Sequence, residues 1–288
     1  EILRKYSLST ESKLLIRNDK EILGINIHGV DGFVVFPCCL DRFGSLIYLA
    51  ETGKPIVIVS EETTFSNALE TYQYLADKNN VELAFGPEQV KAKIKALRSL
   101  KLLETMKVCL LDAGEWKLDE IAWERNPLFS GRPNVENVNV EEFVEAVEKT
   151  SLSEAEALAR EWVRGVKVLE PSLDDVAKAA RVYLAMKKTL KAMKANALYV
   201  LWCGQFAKKL DAKKMCFALA KLADDGYPTG CWRGENLLPL LILHSVSNKP
   251  VFVSEAFTHE GDTITLRHCF APTKLTQGKY ILRRWRNM

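Results

Sequence analysis

Glutamine is scarce, occurring four times in 288 residues, and histidine occurs only four times. Against abundant lysine and glutamate, the low glutamine count leans toward a thermophilic source. Charge of one sign is also missing. Forty basic and 37 acidic residues leave a net charge of +3, which is no polyanion-binding signature, so no nucleic-acid partner is expected. No run of 18 apolar residues occurs, and no membrane partner is expected. The opening residues, Glu1-Ile-Leu-Arg-Lys5, lack the charged-then-apolar order of a signal peptide, and a chain beginning without Met is expected to be trimmed at its start. Seven cysteines without a CxxC pair support neither a structural zinc site nor a disulfide framework. A reducing, cytoplasmic setting is the expectation. Also absent are GxGxxG, GxxxxGK[ST] and GxSxG, so a dinucleotide fingerprint, a P-loop and a nucleophile elbow have no support.

What is present is a balanced globular composition, 48% apolar and 27% charged, of a length that suggests two domains. Short apolar runs alternate with helical patterns. Residues 32–37 (Gly-Phe-Val-Val-Phe-Pro) and Ile56-Val-Ile-Val59 read as buried strands, with helices around residues 46–50 and 65–78 and a basic helix over 88–103. Continuous apolar strands separated by helices imply parallel sheets covered on both faces. The fold expected is α/β, with two Rossmann-like parallel-sheet units and a smaller C-terminal α/β segment. The first unit is placed at residues 1–104 and the second at 105–288, its C-terminal segment at about 197–288.

The second unit opens with the strand Lys107-Val-Cys-Leu-Leu111. Residues 126–139 hold two prolines, one glycine and four asparagines and read as loop. Ser153-Glu-Ala-Glu156 has capping-box spacing, and Ser172 is the expected N-cap of a long helix whose apolar face includes Val176, Tyr183 and Leu190. Residues 197–202 follow as a strand. A helix over 214–224, a turn over 226–230, an apolar helix over 237–246, and strands over 250–254 and 263–268 complete the reading.

Chemistry is sought in that last third, where three of the four histidines lie. Glu255 is expected at the C-terminal end of a parallel strand, where open α/β sheets place their ligands. His268 ends the next strand. A carboxylate and an imidazole so placed could share one Mn²⁺ or similar divalent cation, leaving positions for substrate oxygens; a surface glutamate and a hydrogen-bonded histidine is the plainer alternative. Glu235 opens the apolar helix, where the helix dipole alone would favour it. In the same loop Trp232 could stack on a sugar face, or serve as a core residue, and Arg233 could donate to hydroxyls. His244 reads as a satisfied core histidine, and Cys216 and Cys231 as thiols with nothing nearby to activate them.

Taken together, Gly226-Tyr-Pro-Thr-Gly-Cys231, the helix ending Leu-Ile-Leu243, Lys249-Pro-Val-Phe-Val-Ser-Glu255 and Leu266-Arg-His-Cys269 resemble the L-fucose/L-arabinose isomerase family. Members show a turn of the type Asp-Gly-x-x-x-Cys-Glu-Gly-Asp, an apolar helix, a strand ending Pro-Val-Phe-x-x-Asp/Glu and a strand ending His-Cys. The likeness is good over residues 197–272 and diffuse before them, where Glu170-Pro-Ser-x-Asp-Asp175 with Tyr183 is similar to the family's second domain. It implies an aldose–ketose isomerase: two carboxylates and a histidine hold Mn²⁺, and the carboxylates move protons through an enediol. Glu255 matches the second carboxylate and His268 the histidine. Trp232 stands where the first carboxylate belongs and Gly234 where the next aspartate does, so Glu235 restores a carboxylate only if the loop is shifted. The chain looks like a shortened, divergent member. The resemblance implies a sugar ligand and a homo-oligomer that completes its sites at subunit contacts. The alternative expectation is a non-catalytic sugar or sugar-phosphate binder using Trp232 and Arg233, and a third is an interaction subunit built on the Trp-bearing C-terminus.

Overall fold

A computed structural model of the chain describes residues 21–22, 24, 27–37, 43–112, 133–201, 204–210, 213–276 and 280–284. The Cys38-Cys39 pair, Cys203 and the first half of the loop expected at 126–139 fall outside these residues. The chain forms two compact units, residues 1–101 and 102–288.

In the first unit, β1 (Phe33–Val35), β2 (Ile56–Ser60) and β3 (Val81–Phe85) make a parallel sheet in that order. Every residue of β2 is buried, because helices cover both faces. Ile56 and Ile58 face a cluster with Leu46, Leu49 and Ala50 of α1 (Phe43–Glu51) and Ala68 of α2 (Phe65–Tyr74). Val57 and Val59 face the opposite cluster, which includes Val90 and Ile94 of α3 (Gly86–Thr105). The alternation of one strand's side chains thus fills two layers.

The second unit repeats the plan. β4 (Lys107–Asp112), β5 (Asn134–Asn139), β7 (Ala197–Leu201) and β8 (Thr229–Trp232) form a parallel sheet of order β5-β4-β7-β8. Cys109, Leu111, Leu198, Val200 and Cys231 pack on one side against α4 (Val140–Glu148), α5 (Leu152–Val163), α6 (Leu173–Met193) and α8 (Lys213–Asp224). Val108, Leu110, Tyr199 and Leu201 pack on the other against Leu237, Leu240 and Leu241 of α9 (Leu237–Ser247). Burial of both faces explains why these strands read as unbroken apolar runs. The expected α/β class with parallel sheets is the fold observed.

Four local expectations are corrected. Residues 134–139 are not loop but an outer strand, in which Val135 and Val138 turn inward while the asparagines stay at the surface. The α5 cap is Ser151 rather than Ser153; its hydroxyl accepts from the Glu154 amide at 3.3 Å. β8 forms where a turn and loop were expected, since a four-residue strand centred on glycine has no visible period. Residues 251–254 pair with no strand: Val251 and Val253 bury against the α9 side of the sheet by packing alone. Ser172 does cap α6, in a reciprocal capping box with Asp175.

Two small sheets finish the unit. β6 (Val166–Leu169) pairs in parallel with β11 (Tyr280–Leu282), and β9 (Glu255–Glu260) pairs antiparallel with β10 (Thr263–Arg267) around Gly261-Asp262. Between α8 and β11 the chain is tied by Asp224, only 5% exposed. Its carboxylate accepts from the Thr273 hydroxyl and from the Lys274 amide at 2.9 Å, and pairs with Lys221 at 3.2 Å. Among the described residues no helix is long and apolar enough to cross a membrane.

Candidate functional site

The sheet of the second unit switches direction at β4, whose neighbours β5 and β7 lie on opposite sides, and ligands of such sheets gather beyond the C-terminal strand ends. At the end of β8 the backbone is under strain. Trp232 has φ 125°, a region that side chains with a Cβ rarely adopt and that costs on the order of 1–3 kcal/mol. Its neighbours hold it there. Two residues earlier, Gly230 lies so close to the Tyr199 ring that a Cβ would stand 2.7 Å from Cε2. The same tyrosine, fully buried, donates its hydroxyl to the Arg233 carbonyl at 2.7 Å. Sheet, ring and loop are thereby locked in sequence. Burial, then the charges of Cys231 and Glu235, push the Tyr199 hydroxyl far up, so it remains a donor.

Beside Trp232 stands His268, immediately after β10. Its imidazole meets the Trp232 ring edge-on with centroids 6.2 Å apart, and the Phe270 ring likewise at 5.3 Å. Both ring nitrogens are buried, and among the described residues neither has a hydrogen-bond partner. An imidazole in that position normally costs free energy unless something else satisfies it. Burial lowers its pKa, and the carboxylate of Glu255 partly offsets this. His268 is therefore neutral near pH 7, the form that can ligate a cation or accept from a sugar hydroxyl.

Glu255 reaches this neighbourhood by a route the sequence reading did not foresee. It does not end a parallel strand but opens the antiparallel β9, where its register partner is Arg267. The structure thus brings Trp232, Glu255 and His268 to one place, the carboxylate being exposed and sensed by the imidazole. Glu235 is not brought in. It sits exposed in the turn Gly234–Asn236 before α9, and its charge bears on Tyr199 rather than on His268. Arg233 is exposed as well, and its backbone carbonyl is what the structure employs. His259 and Glu260 are exposed on the hairpin. His244 is half-buried, with Nδ1 3.1 Å from the Lys249 carbonyl.

Among the described residues no group of three His, Cys, Asp or Glu side chains is placed to hold a metal ion. The orphaned nitrogens of His268 fit one ligand position of a divalent site and Glu255 fits a second; the third ligand, the carboxylate expected from Glu235, is not joined to them. Sequence reasoning also missed a thiol. Cys269, next to His268, takes a hydrogen bond from Cys216, which outweighs burial and the Glu255 charge and brings its pKa down to about 7. The His-Cys dipeptide was in view, but its pairing with Cys216 is a tertiary contact with no local pattern. Cys231 is buried in β8, and Cys109 is pushed up to about 12 by burial and Glu136.

In the first unit, a cavity of about 360 Å³ is lined by Ile27, His28, Tyr48, Glu51, Thr52 and Lys54. Its lysine is already engaged, donating to the carbonyls of Ile27 at 2.5 Å and Val30 at 2.6 Å. Comparison with protein-family models and with curated proteins finds no match.

Proposed function

We propose that the chain is a sugar isomerase-like protein that takes an open-chain sugar at Trp232, Glu255 and His268 and interconverts aldose and ketose through an enediol. The observation that carries this reading is His268: a neutral imidazole with both nitrogens unsatisfied, in a buried place beside an exposed carboxylate. In it, the Trp232 ring packs on the sugar's apolar face, His268 meets an oxygen, and Glu255 moves the proton between adjacent carbons as general base and acid. A divalent cation such as Mn²⁺, held by His268 and Glu255, would supply polarisation of the sugar carbonyl. The protein works as a homo-oligomer, for which the apolar residues Phe257, Ile264 and Leu266 of the β9–β10 hairpin, each more than half exposed, offer contact surface.

One observation favours the second reading, a non-catalytic sugar binder on the same scaffold: the charge of Glu235 bears on Tyr199, and Glu255 is the carboxylate that acts on His268. The two separate by experiment. Mn²⁺ is titrated by electron paramagnetic resonance into the wild type and Glu255→Ala, and a sugar panel in D₂O is followed for exchange of the C2 proton. Stoichiometric Mn²⁺ binding lost in the variant, with C2 exchange in the wild type, supports the isomerase. Sugar binding that weakens in Trp232→Ala, without exchange or Mn²⁺ binding, supports the binder. If no sugar binds, both readings fail.

A further inference from the structure

We propose that Cys216 and Cys269 form a modification site, a thiol pair that a peroxide-class oxidant closes into a reversible disulfide. The pairing follows from the way residues 270–274 are packed and tied along α8, and it holds whether or not the sugar site is as described above. Cys216 lies on α8 and Cys269 in the segment after β10, yet the Cys216 thiol donates a hydrogen bond to the Cys269 sulfur. Both thiols are half-buried and no disulfide joins them. Their approach is held from both sides. Phe270, the residue after Cys269, is buried in the core that Met215, Ala218 and Leu219 of α8 also build. Three and four residues after Phe270, Thr273 and Lys274 are fastened to Asp224 at the end of the same helix. Closing the bond requires the sulfurs to move from hydrogen-bond contact to the roughly 2.05 Å of a disulfide. The other described cysteines differ: Cys109 and Cys231 are fully buried in strands of the sheet.

The chemistry balances with hydrogen peroxide as oxidant. One cysteine sulfur attacks a peroxide oxygen and the O–O bond breaks; the departing hydroxide takes the thiol proton, leaving a sulfenic acid and one water. The second sulfur attacks the sulfenic sulfur, the S–O bond breaks, and hydroxide leaves with the second thiol's proton as another water. Two thiols lose two electrons to one peroxide, and a dithiol reductant reverses the change. The new bond would clamp the segment that carries His268 against α8.

Peptide mapping of the full chain tests this. The protein is exposed to mild hydrogen peroxide, alkylated with N-ethylmaleimide, and digested without reduction. Trypsin places Cys216 on residues 215–221 and Cys269 on residues 268–274, one cysteine on each peptide. The expected result is a linked pair of these two peptides, lighter by two hydrogens, accumulating as their alkylated forms disappear and reverting with dithiothreitol. Cys216→Ala should abolish the pair and leave Cys269 as its sulfenic or sulfinic acid. The wild-type map decides alone if that variant does not fold. Both cysteines remaining alkylatable after peroxide, either one linked chiefly elsewhere, or Cys269 over-oxidised in the wild type with no linked peptide, would overturn the proposal.

Discussion

Gly230→Ala puts the locking of β8 to a quantitative test. The added methyl carbon would stand 2.7 Å from Tyr199 Cε2 and 3.1 Å from Leu240 Cδ2, both buried in the layer between sheet and α9, so that something there must shift. Overpacking of this kind costs about 1–3 kcal/mol. If the Tyr199 ring moves to relieve the clash, its hydroxyl leaves the Arg233 carbonyl and about 1 kcal/mol more is lost. The sum is about 2–4 kcal/mol, a drop in Tm of roughly 5–15 °C for a unit of this size. The assay is unusually clean, because all six tryptophans follow residue 102, so tryptophan fluorescence in urea reports only the second unit. Gly165→Ala is the control: its Cβ would meet Tyr280 at 3.7 Å, an ordinary contact, and a change within about 0.5 kcal/mol is expected. Equal stability of Gly230→Ala and wild type would refute the packing argument.

Three further outcomes are expected. Ser172→Ala, which removes the capping box of α6, should cost about 1 kcal/mol in the same urea titration, with a loss under 0.3 counting against the cap. Asp224→Ala removes a buried carboxylate and leaves its three partners without it, which should cost about 2–4 kcal/mol; hydrogen exchange should show segment 269–276 opening first, and uniform exchange would contradict its role as a tie. His244 and His268 both have pKa values lowered, chiefly by burial, so the unfolded chain binds more protons than the folded one below pH 6.5. Their contribution is fully present above that value and is lost as pH falls through it, each histidine adding a slope of at most about 1.4 kcal/mol per pH unit. His244→Gln should flatten the acid limb of urea midpoints measured from pH 7.5 to 5, and an unchanged limb would show that burial does not govern it.

The parts of the fold legible in the sequence were those whose physics is local. Ile56 to Val59 and Val108 to Leu111 are apolar without interruption because both sheet faces are covered, and Ser172 with Asp175 carries its cap in four residues. The parts that were not legible depend on distant partners. Val251 and Val253 have the alternation of a strand, yet they are held by packing on the α9 side of the sheet and not by a ladder, which only tertiary contacts decide. The candidate site divides in the same way. The carboxylate and imidazole were visible as residue types near strand ends. Whether Glu235 joins them depends on how the turn at 234–236 is aimed, which Tyr199 decides through a contact 34 positions away.

The surroundings of His268 give the protein a built-in spectroscopic reporter. The chain has four histidines, so the imidazole region of its proton spectrum holds few lines. Only His268 has rings of both Trp232 and Phe270 edge-on to it among the described residues, and the circulating currents of those rings displace its resonances from the positions of the exposed imidazoles. Any molecule that enters between Trp232 and His268 must change that displacement. Occupancy of the site can then be followed line by line in an unlabelled sample, before the occupant's identity is known.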